Sequence, residues 1–85
     1  MTVLAQSFPS LEGAQGVDPW DPIRFEAWAT DEETDDNVVW AAGFVLSVWE
    51  GEDDDFLWDL QRALNDWGHS DREAFIAWCR EPWWP

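Results

Sequence analysis

The chain has 85 residues, enough for one small domain, and it combines nineteen acidic residues with four arginines and no lysine. Its formal net charge of −15 exceeds the magnitude of about 2–8 that keeps a small domain soluble. Nucleic acid and anionic membranes would repel such a chain, so both are excluded as direct partners. Nine tryptophans and five phenylalanines argue against complete disorder, because disordered acidic chains lack aromatic residues.

The first twenty residues predict an irregular arm. Two prolines and two glycines interrupt it, and its apolar residues follow no clear period. A short strand over Thr2–Ala5 is an alternative for its first residues. We find neither the basic start nor the apolar run of a signal peptide, and the single cysteine, Cys79, allows no internal disulfide. We therefore expect a cytoplasmic protein.

The pair Asp21-Pro22 predicts a helix start, with Asp21 as the N-cap and Pro22 at the first helical position. A short helix over Ile23–Ala29 follows from this signal. The same segment also alternates apolar and polar residues with the period of a strand, so the strand remains an alternative.

A central element is predicted next. Thr30-Asp31-Glu32-Glu33 matches a capping box, and a helix from Asp31 or Asp35 to Glu50 follows. Residues 37–49 carry no charge and are apolar nearly all round, which is typical of a buried central helix. Several β-branched valines keep a buried strand as the alternative. Gly51 is placed to follow the C-terminus of the helix.

The C-terminal half predicts two further helices. Asp53 or Asp54 caps a helix from about Asp55 to Trp67, which Gly68 ends. Its apolar residues share one face at helical spacing: Phe56, Leu57, Leu60, Ala63, Leu64 and Trp67. A second capping box, Ser70-Asp71-Arg72-Glu73, begins a helix over residues 71–80. Residues 81–85 form an extended Trp/Pro tail.

Together these elements predict a mainly α fold, a single domain over residues 1–85 with three to four helices and an irregular N-terminal arm over residues 1–20. The aromatic residues Phe44, Phe56, Trp67, Phe75 and Trp78 are expected in its core.

Catalytic chemistry has little support. His69 and Cys79 are the single residues of their types, and a nucleophilic pair would also need an orienting third group. Residues 31–37 alternate acids as a calcium-binding loop does, but Asp36 stands where that loop needs glycine and Ala42 where it needs glutamate. We expect no catalytic residue, no metal site and no cofactor.

The arrangement of charge is the informative feature. Residues 31–36 and 50–55 each hold five carboxylates, and the uncharged residues between them would separate the two blocks by about 20 Å as a helix. Such rows resemble the phosphates of a duplex, which present about one charge per 1.7 Å of axis. The candidate partner-binding residues are the acids Asp31, Glu32, Glu33, Asp35, Asp36, Glu50, Glu52, Asp53, Asp54, Asp55 and Asp59, with Trp58, Trp83 and Trp84.

In size, acidity and helical pattern the chain resembles the small phage and plasmid inhibitors that mimic DNA, including anti-CRISPR and antirestriction proteins. The resemblance is one of type, without a family motif. It implies a non-enzymatic inhibitor that occupies the basic DNA- or RNA-binding surface of a bacterial defence complex, in some cases as a homodimer. The alternatives are an antitoxin or adaptor that binds a basic partner, and a salt-adapted acidic structural domain.

Overall fold

The computed structural model describes residues 1–50 and 59–85, which form five α-helices and one 3₁₀ helix and contain no strand. The elements are α1 (Thr2–Gln6), the 3₁₀ helix (Pro9–Leu11), α2 (Pro22–Ala29), α3 (Asp36–Glu50), α4 (Leu60–Asp66) and α5 (His69–Arg80). The mainly α prediction is confirmed. The predictions for Gly51, the cap at Asp53 or Asp54, and Phe56 and Leu57 lie outside the described residues. The helix predicted from about Asp55 begins at Leu60 instead, because Asp59 is extended and acts as its N-cap.

Helix α3 is the centre of the fold. Six consecutive residues, 41–46, are buried, and the helix packs against α1, the 3₁₀ helix, α2 and α4. A helix that is apolar nearly all round has no face suited to water, so it is covered on several sides. The predicted buried central helix is therefore confirmed, and its strand alternative does not form.

The N-terminal segment contributes more to the core than an irregular arm would. The segment proposed as a possible strand forms α1, whose first turn closes with a hydrogen bond from the Ala5 N–H to the Met1 carbonyl. A strand needs a neighbour to pair with, and the described chain offers none. Five buried apolar residues come from this segment: Leu4, Ala5, Phe8, Leu11 and Val17.

Helix α2 begins as the sequence predicts. The Asp21 carboxylate accepts hydrogen bonds from the Ile23 and Arg24 backbone N–H groups, and Pro22 stands at the first helical position. Phe25 and Ala29 are fully buried against α3 while Ile23 is 80% exposed. The helical alternative is confirmed, because a four-residue spacing directs both buried side chains to one face.

The capping box predicted at Thr30 does not form. The Thr30 hydroxyl instead donates to the Glu26 carbonyl at 2.9 Å, which places Thr30 at the end of α2. Helix α3 then begins at Asp36, and the Asp35 carbonyl accepts from the Val38 and Val39 N–H groups. Of the two starts that the sequence allows, the later one is observed.

The boundaries in the C-terminal half also differ from prediction. Trp67, rather than Gly68, follows the last residue of α4, and Gly68 precedes α5, which begins at His69 without a side-chain cap. Glu73, expected to complete the capping box, lies 3.4 Å from the His69 ring instead. Ala63 and Trp67 are buried as predicted, whereas Leu60 and Leu64 are 43% and 38% exposed.

A small polar network joins three distant segments. The Asp71 carboxylate, 5% exposed, accepts hydrogen bonds from both the backbone N–H and the hydroxyl of Ser10. The Asn37 amide donates to the same hydroxyl at 2.8 Å. The network therefore fastens the 3₁₀ helix to the start of α3 and to the first turn of α5.

Aromatic rings complete the packing of α5 on α3. The centroid of the Phe44 ring lies 5.1 Å from those of Phe75 and Trp78, both edge-on to it. It lies 5.8 Å from the tilted ring of Phe8. The Trp67 ring lies 5.5 Å from Phe8, and its indole N–H donates to the Asn37 carbonyl at 3.0 Å. Phe44 and Trp67 are buried and Phe75 and Trp78 partly buried, as predicted for these four core residues.

We predict that Gly16→Ala lowers the free energy of unfolding by at least about 2 kcal/mol. Gly16 has φ +77°, and an added methyl group would lie 2.5 Å from the Asp21 carbonyl oxygen and 2.6 Å from the Phe25 nitrogen. Gly13→Ala is the matched control, because Gly13 has φ +80° with no atom within 4 Å of the added carbon. Gly13→Ala should lower the free energy of unfolding, measured by urea denaturation, by about 1 kcal/mol. Equal losses would contradict the close packing of this loop on α2.

We also predict that Asp71→Ala lowers the free energy of unfolding by about 2–4 kcal/mol, because both Ser10 donors lose their acceptor. Glu73→Ala, on the same helix, should change it by less than about 0.5 kcal/mol, since its contact with His69 is exposed. Urea unfolding of both variants gives the comparison, and similar values for the two would contradict a structural role for Asp71.

Candidate partner-binding surface

The first acidic block borders an open groove of about 620 Å³. The groove lies between α2 and the loop that leads into α3. Its lining residues are Gln15, Arg24, Ala27, Trp28, Asp31, Glu33, Thr34, Asp35 and Val38. The structure thus brings three of the predicted acids, Asp31, Glu33 and Asp35, to one concave surface.

Local hydrogen bonds fix the conformation of the acidic loop, residues 31–36, whose last residue is also the first of α3. The Asp31 carboxylate accepts from the Glu33 N–H at 2.9 Å, and the Asp31 carbonyl accepts from the Thr34 N–H at 3.0 Å. The Thr34 hydroxyl donates to the Trp28 carbonyl on α2. The Trp28 ring stacks on the buried ring of Phe25 at 6.3 Å. The loop is therefore attached to the core through α2.

The five carboxylates of this loop are exposed to solvent: Asp31, Glu32, Glu33, Asp35 and Asp36. Among the described residues, His69 and Glu73 form the only ion pair whose two members are both described. Arg24 lines the groove without forming a salt bridge to these acids. Since no described cation neutralises them, their charge is presented to solvent and to any partner.

The second acidic block is described only at its edges. Glu50 is the last residue of α3 and is exposed. Asp59 caps α4, where its carboxylate accepts from the Arg62 N–H at 3.1 Å, so it has a structural role beside any contact with a partner. The candidates Glu52, Asp53, Asp54, Asp55 and Trp58 lie outside the described residues.

The C-terminal tail turns back toward α5 while its two tryptophans remain accessible. The Trp78 indole N–H donates to the Trp83 carbonyl at 3.2 Å, and the Trp84 ring lies edge-on to Trp78 at 5.3 Å. Trp83 is still 40% exposed and Trp84 60% exposed. These two candidates therefore lie on the surface, against α5.

Several residues of the groove were not predicted from the sequence. Gln15, Arg24 and Trp28 line it, yet they belong to the N-terminal segment and α2, before the acidic block. Asp66 was likewise assigned no contact, although it accepts from the Trp40 indole N–H at 2.7 Å. The sequence gives one indication of these neighbours, because Trp28 lies on a predicted helix only three residues before Asp31.

The two residues considered for catalysis, His69 and Cys79, both lie on the surface of the described chain. His69 is exposed beside Glu73, and Cys79 is exposed on α5. Residues 1–50 and 59–85 contain no group of three or more histidine, cysteine or acidic side chains arranged to hold a metal ion. Within the same ranges, no helix combines the length and apolarity needed to cross a bilayer.

No protein family model matches this chain, and neither the curated proteins nor the solved structures give a significant match.

We predict that Asp59→Ala lowers the free energy of unfolding by about 1 kcal/mol, because α4 loses the acceptor that caps its first turn. Glu32→Ala should change it by less than about 0.5 kcal/mol, since Glu32 is exposed in the acidic loop. Urea unfolding of the two variants separates structural from exposed acids. A larger loss for Glu32→Ala would contradict this division.

Proposed function

We propose that this chain is a non-enzymatic inhibitor that mimics nucleic acid and occupies the basic DNA- or RNA-binding surface of a bacterial defence complex in the cytoplasm. The observation that supports it is the acidic loop, residues 31–36, whose five exposed carboxylates form no ion pair with a described cation. Within the described chain, the Asp31 carboxylate alone among the five accepts a hydrogen bond, whereas acids with a structural role, such as Asp21 and Asp71, accept two each.

The scaffold suits this function because it fixes the loop in place. The Thr34 hydroxyl of the loop donates to the Trp28 carbonyl on α2 at 3.5 Å, and the last acid of the loop, Asp36, is the first residue of α3. The next residue, Asn37, is held to the core by Trp67 and Ser10. A surface that is ordered before binding loses less conformational entropy when the partner arrives. A cationic groove shaped for phosphates would then meet carboxylates already in position.

Helix α3 separates two groups of exposed acids, so the proposed mimic presents charge at two distant points. From Asp36 to Glu50 the helix spans about 21 Å at 1.5 Å per residue, and both ends carry exposed acids. The net charge of −15 adds long-range attraction that accelerates encounter with a basic partner. Salt would screen this attraction over a Debye length of about 8 Å at physiological ionic strength.

The exposure of Trp83 and Trp84 favours a second candidate function, an antitoxin or adaptor that binds a basic partner mainly through its tail. Tryptophan is enriched among the residues that contribute most to binding energy. In that case tail contacts, rather than the acidic loop, would dominate the affinity.

The acidic loop can be tested with a triple variant, Glu32→Gln, Glu33→Gln and Asp35→Asn, which removes three exposed charges and spares the Asp31 turn. The partner is first captured from a bacterial lysate and eluted with a salt gradient. We expect the variant to bind it about tenfold or more weakly, to show a shallower salt dependence, and to compete less with duplex DNA.

A matched control removes three exposed charges outside both grooves, with Glu12→Gln, Glu26→Gln and Glu73→Gln. It should bind within about threefold of the natural chain. Equal weakening of both variants would show that total charge, and not the loop, governs binding. Unchanged affinity in both, with a large loss in Trp84→Ala, would favour the antitoxin or adaptor.

A further inference from the structure

A second groove, of about 260 Å³, lies between α1 and α5 and is lined mainly by apolar side chains. Val3 and Leu4 come from α1, Ala74, Ala77 and Trp78 from α5, and Trp83 from the tail. None of these residues belongs to the acidic loop or its groove. The two surfaces therefore differ in both location and chemistry.

The rim of this groove exposes large apolar side chains. Val3, the second residue of α1, is 78% exposed although its helix packs on the core, and Trp83 is 40% exposed. Ala74 and Ala77, three residues apart on α5, contribute only methyl groups to the lining, so another backbone can approach α5 closely. Large exposed side chains beside small ones form a surface that an apolar helix face would fill.

The charge around the groove restricts what can bind there. Glu81 is the charged residue among its lining side chains. A second copy of the chain would bring another net charge of −15 to the same interface. Like charges oppose that association, whereas a cationic partner is attracted by Glu81 and by the field of the whole domain.

We propose that the groove between α1 and α5 binds the apolar face of a cationic amphipathic helix of a partner protein. Val3, Trp78 and Trp83 contact its apolar side chains, and Glu81 contacts a lysine or arginine at the edge of that face. The site does not require the acidic loop, so it stands or fails separately from the nucleic-acid mimicry.

The probe is a synthetic 18-residue helix with leucines along one face and lysines on the other, titrated calorimetrically into the natural chain. Two matched peptides separate the contribution of charge from that of apolar contact. One replaces every lysine by glutamate, and the other replaces every leucine by serine. We expect binding by the Leu/Lys peptide and at least tenfold weaker binding by both of the others. Failure of the Leu/Lys peptide to bind, or equal binding by either matched peptide, overturns the proposal.

Two variants locate the bound peptide. Val3→Ser removes an exposed rim side chain and should weaken Leu/Lys binding about threefold to tenfold. Ile23→Ser is the matched control, because Ile23 is equally exposed, at 80%, on α2 and outside the groove lining. It should change binding by less than twofold. Equal effects of the two variants, or a dimer in sedimentation that Val3→Ser abolishes, overturns the proposed occupant.

Discussion

The burial of α3 is the constraint on which the rest of the structure depends. Residues 41–46 are all buried, and a helix without a polar face must be enclosed by whatever the chain can supply. Helices α2 and α4 cover part of it, and α1 with the 3₁₀ helix covers another part. The same constraint explains the position of the acids, because charged residues cannot occupy the covered length of α3 and collect at its two ends.

The excess of negative charge divides into acids that support the fold and acids that face solvent. Asp21 and Asp59 cap helices, Asp66 accepts from Trp40, and Asp71 joins the 3₁₀ helix to α5. These contacts offset part of the self-repulsion that a charge of −15 imposes on a small domain. The acidic loop has few such contacts beyond the turn at Asp31, and this contrast makes it the candidate for recognition.

Two surfaces with different chemistry follow from one arrangement of helices. The acidic loop presents exposed charge, whereas the groove between α1 and α5 is lined mainly by apolar side chains. Electrostatic attraction mainly raises the rate of association, and buried apolar anchors mainly slow dissociation. The two proposed sites would therefore act on different steps of binding, the loop on association and the groove on dissociation.

Local patterns in the sequence predict a mainly helical class, an apolar central element, the Asp21 cap followed by Pro22, and the acidic block, because each pattern lies within a few residues. They leave a strand open for both α2 and α3. The remaining features depend on contacts between residues that are far apart in the sequence. Thr30 ends α2 instead of starting α3. The Asp71 carboxylate accepts a hydrogen bond from the N–H of Ser10, which lies 61 positions earlier in the chain. The groove beside Trp28 and the groove between α1 and α5 also exist only once the helices pack. No local spacing encodes such contacts, since their energy comes from groups that meet only in the folded chain.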